Sequence, residues 1–400
     1  MAAPFVPPKS THTKPYVPEW VPPPTTKLVT DWAHVTEVDL SKLDSEDPEV
    51  VKELLATTKK AIKEDGFIYL TNYGVSLSNL HRQFSLAQYL HRNISEEDKE
   101  RLVVDIKSGK FAGWKGRHGF VDKTAKNNFD GIEQFNFYRE EFDSMDSKVP
   151  GVIKPFMDEI VAFCDYLTQS VNRRLLKLLS RVLELPDDYL WDHVQGQGGP
   201  VNDGYFRHAL FHPLESEVKD RMAGIRMMGH TDYGTTTMLF SVPVTALQIC
   251  PKRDGNWKYV KYNPGALVIN LGEALEIISA GQFKATLHKV AQPPADQENT
   301  ERLSIVLFNA AKSDLQLKPC DNSPLIQRDG YNLTSYGVFT EFNKALQAGM
   351  RVPTCKEWRE LQIARKGQSE PQKKNGTPKI INGVKFWEDT YMGVKVLLPA

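Results

Sequence analysis

His230 and Asp232 stand two residues apart in the stretch Met228-Gly229-His230-Thr231-Asp232-Tyr233-Gly234-Thr235-Thr236-Thr237-Met238-Leu239-Phe240, a spacing at which an imidazole and a carboxylate can share one ion. Thr236 to Phe240 is β-branched and apolar, which predicts strand on either side of a turn at Gly234. Side chains two apart on a strand point to one face. A third ligand has to come from elsewhere, and His288 sits just before Lys289-Val290-Ala291-Gln292-Pro293-Pro294, where a strand would run into a turn. Two imidazoles and one carboxylate on one face of a metal leave the opposite positions open. Taken alone, a His-x-Asp pair also fits an Asp that holds a turn beside a histidine satisfied in the core.

A second signal lies in Arg302-Leu303-Ser304-Ile305-Val306-Leu307-Phe308, an alternating strand that places Arg302 and Ser304 on one face. A guanidinium in apolar surroundings needs a carboxylate or phosphate to pair with, and the neighbouring hydroxyl adds a donor. An open set of two His and one carboxylate suits non-haem Fe(II), and with the anchor it makes a two-point site for an acid that chelates iron. A Zn hydrolase with the same ligands leaves Arg302 and Ser304 unexplained and offers no obvious general base.

Four motifs in order carry a family resemblance. They are His-Thr-Asp-Tyr-Gly-Thr-Thr-Thr at 230–237, Asn263-Pro264-Gly265-Ala266-Leu267-Val268-Ile269-Asn270-Leu271-Gly272-Glu273, Leu287-His288-Lys289-Val290 and Arg302-Leu303-Ser304. With Gly66 to Val75 in the N-terminal part, the chain resembles the iron and 2-oxoglutarate-dependent dioxygenases of the isopenicillin N synthase type over roughly residues 30 to 360. The resemblance implies Fe(II) held by the catalytic residues His230, Asp232 and His288. It further implies 2-oxoglutarate bound through the metal and through Arg302 and Ser304, with O2 at the last position. The implied reaction oxidises a C–H bond of a hydrophobic, cyclic or aromatic secondary metabolite by hydroxylation, desaturation or ring rearrangement, releasing succinate and CO2. Two alternatives remain: an oxidative cyclase like isopenicillin N synthase, which uses Arg-x-Ser for a substrate carboxylate without 2-oxoglutarate, and a non-catalytic jelly-roll binding protein.

Relatives carry Asn-Tyr-Tyr-Pro ahead of the His-x-Asp, with the second Tyr donating to the 2-oxoglutarate carboxylate. Here Arg207-His208-Ala209-Leu210-Phe211-His212-Pro213 stands in its place. Phe211 has no hydroxyl, so one hydrogen bond is missing or is supplied by another donor. Phe308 occupies the position that stacks on flat substrates. By the same resemblance Phe135 and Phe137, in a Glu-x-Phe-x-Phe-like stretch, approach the substrate. With Phe206 and Phe211 they suggest a pocket for an apolar or aromatic ring, and Lys115, Arg117 and Arg207 are placed to orient an acidic or phenolic group.

Lys plus Arg equals Asp plus Glu at 50 each, so no net field favours nucleic acid or an anionic membrane, and small molecules are the expected partners. Cys164, Cys250, Cys320 and Cys355 lie far apart, which favours free thiols in a reducing compartment. Without a signal segment or a membrane-length apolar run, a cytoplasmic protein is expected. The sequence leaves the oligomeric state open.

The expected fold is mainly β with flanking helices: a double-stranded β-helix (jelly-roll) core behind a helical, α+β N-terminal portion. Residues 1–29 read as a proline-rich extension lying along the surface, and 30–150 as the N-terminal α+β domain. Asp47-Pro48 starts one helix there, Phe67 to Thr71 is a buried strand, Leu77 to Ala87 a second helix, and Phe111 to Gly119 a loop. Residues 151–185 form a long backing helix with Phe156, Ile160, Phe163, Leu167, Val171, Leu175, Leu178 and Val182 on one face. Short apolar runs follow through 186–320, the expected catalytic core. Residues 321–400 read as a C-terminal helical region and tail, with Gly367 to Lys379 a solvated loop, Val384 to Tyr391 docking back on the body, and 340–365 a candidate lid.

Overall fold

The computed structural model describes residues 3–28, 30–105, 108–117, 131–138, 148–196, 204–214, 224–333, 337–366, 377–381 and 384–399. Twelve of its strands build the core. These are β1 (Thr36–Asp39), β2 (Phe67–Thr71), β3 (Gly113–Lys115), β4 (Ile132–Tyr138), β5 (Tyr205–Phe211) and β6 (Ile225–His230), then β7 (Thr236–Phe240), β8 (Leu247–Cys250), β9 (Lys258–Tyr259), β10 (Leu267–Leu271), β11 (Leu287–Ala291) and β12 (Arg302–Phe308). They form a large sheet ordered β1-β2-β10-β7-β12-β5-β4-β3 and a small one ordered β6-β11-β8-β9. The two sheets are the layers of the jelly-roll core.

Alternation along each strand divides the large sheet into two faces. Phe135, Phe137, Phe206, Leu210, Met238, Phe240, Leu267, Ile269, Leu303, Ile305 and Leu307 join the main apolar core with the helices. The other face looks toward the small sheet, where Ile132, Ala209 and Phe211 meet Ala246 and Val290. Strand β2 is buried on both sides: Ile68 and Leu70 face the helices, while Phe67 and Tyr69 pack with Leu247, Ile249 and Val268 between the sheets.

The helical layer comprises α1 (Pro48–Glu64), α2 (Leu77–Asn93), α3 (Glu96–Arg101), α4 (Met157–Tyr166) and α5 (Arg173–Val182). Asp47 caps α1 with Pro48 in its first turn, and Ser95 accepts from the Asp98 amide at the start of α3. A π-type segment, Leu167–Asn172, joins α4 to α5. All eight apolar positions expected on one face of this run are buried. The proline-rich segment runs along these helices and is pinned by side chains. Trp20 stacks on Phe84 at 4.4 Å, Phe5 packs edge-on to Phe163, and Lys14 pairs with Asp158 and Glu159.

Beyond the core come α6 (Glu273–Ile278), α7 (Pro324–Asp329), α8 (Val338–Gln347) and α9 (Cys355–Lys366). The C-terminal stretch departs from a tail: β13 (Thr377–Ile381), β14 (Val384–Tyr391) and β15 (Val394–Pro399) form an antiparallel meander. Lys379 therefore sits in a strand, and residues 367–376 of the expected loop lie outside the described residues. Phe386 anchors the meander by packing with Cys250 and Leu287 of the small sheet. Gly113 to Lys115, expected in a loop, instead pairs with β4. That edge ladder satisfies backbone groups that a buried loop would leave open. All four cysteines are free.

On the helical face His208 has no exposure, sits edge-on between Phe137 and Phe206, and has no hydrogen-bond partner on either ring nitrogen. Burial pushes its pKa down to about 3, and burial, opposed by Glu133, pushes that of His91 down to about 4. The unfolded chain takes up these protons near the ordinary value of 6.5 while the folded chain does not, so stability falls as pH drops below that value. His208→Phe is expected to flatten the slope between about pH 6 and pH 4 by up to about 1.4 kcal/mol per pH unit, read from urea midpoints.

Candidate functional site

Antiparallel pairing of β11 with β6 sets His288 opposite His230, with ring centroids 4.4 Å apart. Asp232 reaches the same point from the turn after β6, not from a strand as expected, because regular structure ends at His230. Backbone bonds hold that turn: the Glu273 amide donates to Asp232 O at 2.7 Å, Gly272 to Thr235 O at 2.8 Å and Thr235 to Asn309 O at 2.9 Å. A Cβ on Gly234 would lie 2.4 Å from Asn309 O, and one on Gly272 would lie 2.2 Å from Gly234 O. Only glycine lets these segments close to bonding distance.

Each imidazole is oriented through its inner nitrogen. His230 Nδ1 lies 2.9 Å from Met228 O and His288 Nδ1 lies 3.0 Å from Thr286 O. A carbonyl only accepts, so both Nδ1 atoms carry the proton and both Nε2 lone pairs are available to a metal. The Nε2 atoms stand 3.7 and 3.8 Å from Asp232 Oδ1 and Oδ2, and one donor atom from each residue lies within 4.8 Å of the others. Asp232 Oδ2 also accepts from Thr237 Oγ1 and Asn270 Nδ2, each at 2.7 Å. Burial raises the Asp232 pKa, but the positive charge that His288 and His230 carry when protonated, with these two hydrogen bonds, outweighs it and holds the carboxyl below its ordinary range. Neutral imidazoles and an ionised carboxylate are the protonation states a divalent ion requires.

Arg302 is 3% exposed. Its Nη1 donates to Ser304 Oγ at 3.1 Å, its Nε has no partner, and its Cζ lies 5.3 Å from the Phe211 ring centroid. Burial and the charge of Arg226 lower its pKa to about 10. A desolvated guanidinium with a free N–H and an adjacent hydroxyl is a receptor for a carboxylate. Phe211, opposite Arg302 in the β5 pairing, offers its ring face to the cation and no hydrogen bond.

Further along the same face, Phe308 stacks on Tyr205 at 4.7 Å and Tyr205 on Tyr138 at 5.0 Å. Arg207 lies 5.0 Å from the Phe308 ring centroid and donates from Nε to Asn136 Oδ1 at 2.7 Å. Phe135 and Phe137 do not join them. They are 1% and 2% exposed, contact each other edge-on, and point into the helical core, so their expected approach to substrate is corrected. Phe206 shares that core. Alternation gives the inner face of β4 to Gln134, Asn136 and Tyr138. The sequence signal for Asn136 was a polar residue between two core phenylalanines. Lys115 is buried and donates to Ile132 O at 3.0 Å.

Helix α9 closes over this wall, with Ile363 packed among Phe111, Tyr138 and Tyr205. Its Trp358 Nε1 and Gln362 Nε2 donate to Glu273 Oε2 at 2.9 and 2.8 Å. Glu273 Oε1 accepts from Thr231, between the two ligand candidates.

The 2OG-Fe(II) oxygenase superfamily profile matches residues 207–311, and that of the non-haem dioxygenase N-terminal region (in morphine synthesis) matches 35–152. A 2-oxoglutarate-dependent dioxygenase of Gibberella zeae is 25% identical over 72% of this chain and 83% of its own length. Leucoanthocyanidin dioxygenase of Vitis vinifera is 26% identical over 64% of this chain and 68% of its own. Among solved structures, a full-length Neurospora crassa protein in complex with alpha-KG superposes with a TM-score of 0.67 at 18% identity, covering 82% of this chain and 96% of that one. JOX2 in complex with 2OG, Fe and JA gives 0.63 at 21%, covering 82% and 85%.

Asn270→Leu, which removes one donor to Asp232, is expected to weaken metal binding about 10- to 100-fold with little loss of fold. Anaerobic Fe(II) titration with circular dichroism checks both.

Proposed function

Because the chain belongs to the 2OG-Fe(II) oxygenase superfamily, we propose that His230, Asp232 and His288 hold its iron and that Arg302 with Ser304 takes the far carboxylate of 2-oxoglutarate. The protein is a non-haem Fe(II)/2-oxoglutarate-dependent dioxygenase. Iron with 2-oxoglutarate and O2 supplies the oxidising power to attack a C–H bond, and the chain's part is placement. The observation that carries the assignment is the convergence of three donor atoms, both imidazoles fixed through Nδ1, in a fold whose large sheet also carries a buried arginine with an unpaired N–H.

The residues then divide the work. Asn270 and Thr237 fix one oxygen of Asp232 and leave Oδ1 directed at the ion. Met228 and Thr286 set the tautomers. Phe308, at the end of the Tyr138–Tyr205–Phe308 stack that holds it in place, is the ring that meets a flat, hydrophobic, cyclic or aromatic small molecule of secondary metabolism. Arg207 has no carboxylate partner among the described residues, so the favoured substrate carries an acidic or phenolic group beside its ring. Two solved relatives were captured with small molecules, one with thymine and one with JA. On this reading residues 186–320 are the catalytic core, 30–150 and 151–185 support it, and within the C-terminal region 340–365 acts as a lid. The free thiols and zero net charge support a cytoplasmic protein that binds neither nucleic acid nor membrane. No helix among the described residues is long and apolar enough to cross a membrane.

Succinate should form in step with O2 consumption when substrate is oxidised; substrate-dependent O2 uptake without succinate would overturn the cosubstrate assignment. Arg302→Leu should raise the Kd for 2-oxoglutarate about 100-fold. Arg207→Met should raise KM for an acidic ring substrate about tenfold or more and leave 2-oxoglutarate binding unchanged.

A further inference from the structure

By the family resemblance Phe211 supplies no hydroxyl to the far carboxylate, and a second buried arginine lies on β6, the strand whose Met227 packs with Phe211. Arg226 on β6 is 3% exposed. Its Nη2 donates to Glu298 O at 3.0 Å, in the connection that leads from β11 into β12 and so to Arg302. Its Nε and Nη1 are buried without any partner. The next residue, Met227, packs with Phe211 and Val290 between the sheets, which brings this end of β6 across from the Phe211 and Arg302 end of the large sheet.

Among the described residues neither Arg226 nor Arg302 has a carboxylate within ion-pair distance. Two buried guanidiniums with N–H groups that find no partner raise the free energy of the folded chain unless an anion joins them, and the charge of Arg226 adds to burial in pushing the Arg302 pKa down. Unlike a surface pair, they have almost no water to screen them.

We propose that Arg226 is a second anchor for the far carboxylate of 2-oxoglutarate, donating from its free N–H groups where relatives use the tyrosine hydroxyl. The carboxylate then bridges two cations and Ser304, with Glu298 O holding the Arg226 fork in place. This rests on the assignment of Arg302 as the first anchor.

The test is binding, not turnover. Anaerobic Fe(II)-loaded protein is titrated by calorimetry with 2-oxoglutarate and with 2-oxopentanoate, which keeps the chelating end and the chain length but ends in a methyl group. The wild type should prefer 2-oxoglutarate. Arg226→Met should lower affinity for 2-oxoglutarate about 10- to 100-fold and leave 2-oxopentanoate unchanged. An equal loss for both ligands, or a loss for neither, overturns the role of Arg226 while a retained wild-type preference keeps Arg302 as anchor. A wild type that binds both ligands alike overturns both assignments. Should Arg226→Met fail to fold, Arg226→Lys retains the charge without the fork. It should still show a several-fold loss confined to 2-oxoglutarate, and no such loss overturns the proposal.

Discussion

A carboxylate removed from water must be matched by donors and positive charge, and Asp232 imposes that condition on its surroundings. Its Oδ2 is satisfied by Thr237 and Asn270, two residues of neighbouring strands in the large sheet, while Oδ1 faces the imidazoles. The turn that carries it closes only because Gly234 and Gly272 lack side chains. The ligand geometry is therefore a property of the sheet pairing β7 with β10 and of β11 with β6, not of the local His-Thr-Asp segment.

The same alternation that fills the helical core also sorts the chemistry. On β12 the odd positions Leu303, Ile305 and Leu307 bury against helices, and Arg302, Ser304 and Phe308 are left for the inner face. Strand β5 repeats the division, with Phe206, His208 and Leu210 outward and Tyr205, Arg207 and Phe211 inward. A slip of one residue in the β12 to β5 register would exchange the apolar and polar sets and destroy core and cradle together. Fold stability and site geometry thus rest on one register.

Much of this was legible in the sequence because period-two patterns are local. The strands around His230, His288 and Arg302, the capped helices and the long buried helical run all announce themselves through spacing. Face assignment was harder. The Glu-x-Phe-x-Phe stretch alternates, but which set faces inward depends on its pairing with β5, and Phe135 and Phe137 fell on the other side. The C-terminal meander was missed because a Lys- and Gly-rich run precedes it and Phe386, its buried anchor, is one residue in a mostly exposed segment. Arg226 carries no motif at all. What sets it apart, burial with two N–H groups that find no partner, exists only in the folded chain.

Glu273 gives the outer helix a say in the inner site. One of its oxygens receives Trp358 and Gln362 of α9 and the other receives Thr231, flanked by His230 and Asp232. Any outward movement of α9 has to stretch or break the first pair, and the displaced carboxylate pulls on the second. The position of α9 and the segment that carries His230 and Asp232 are for that reason tied through a single carboxylate, so a shift of one is transmitted to the other.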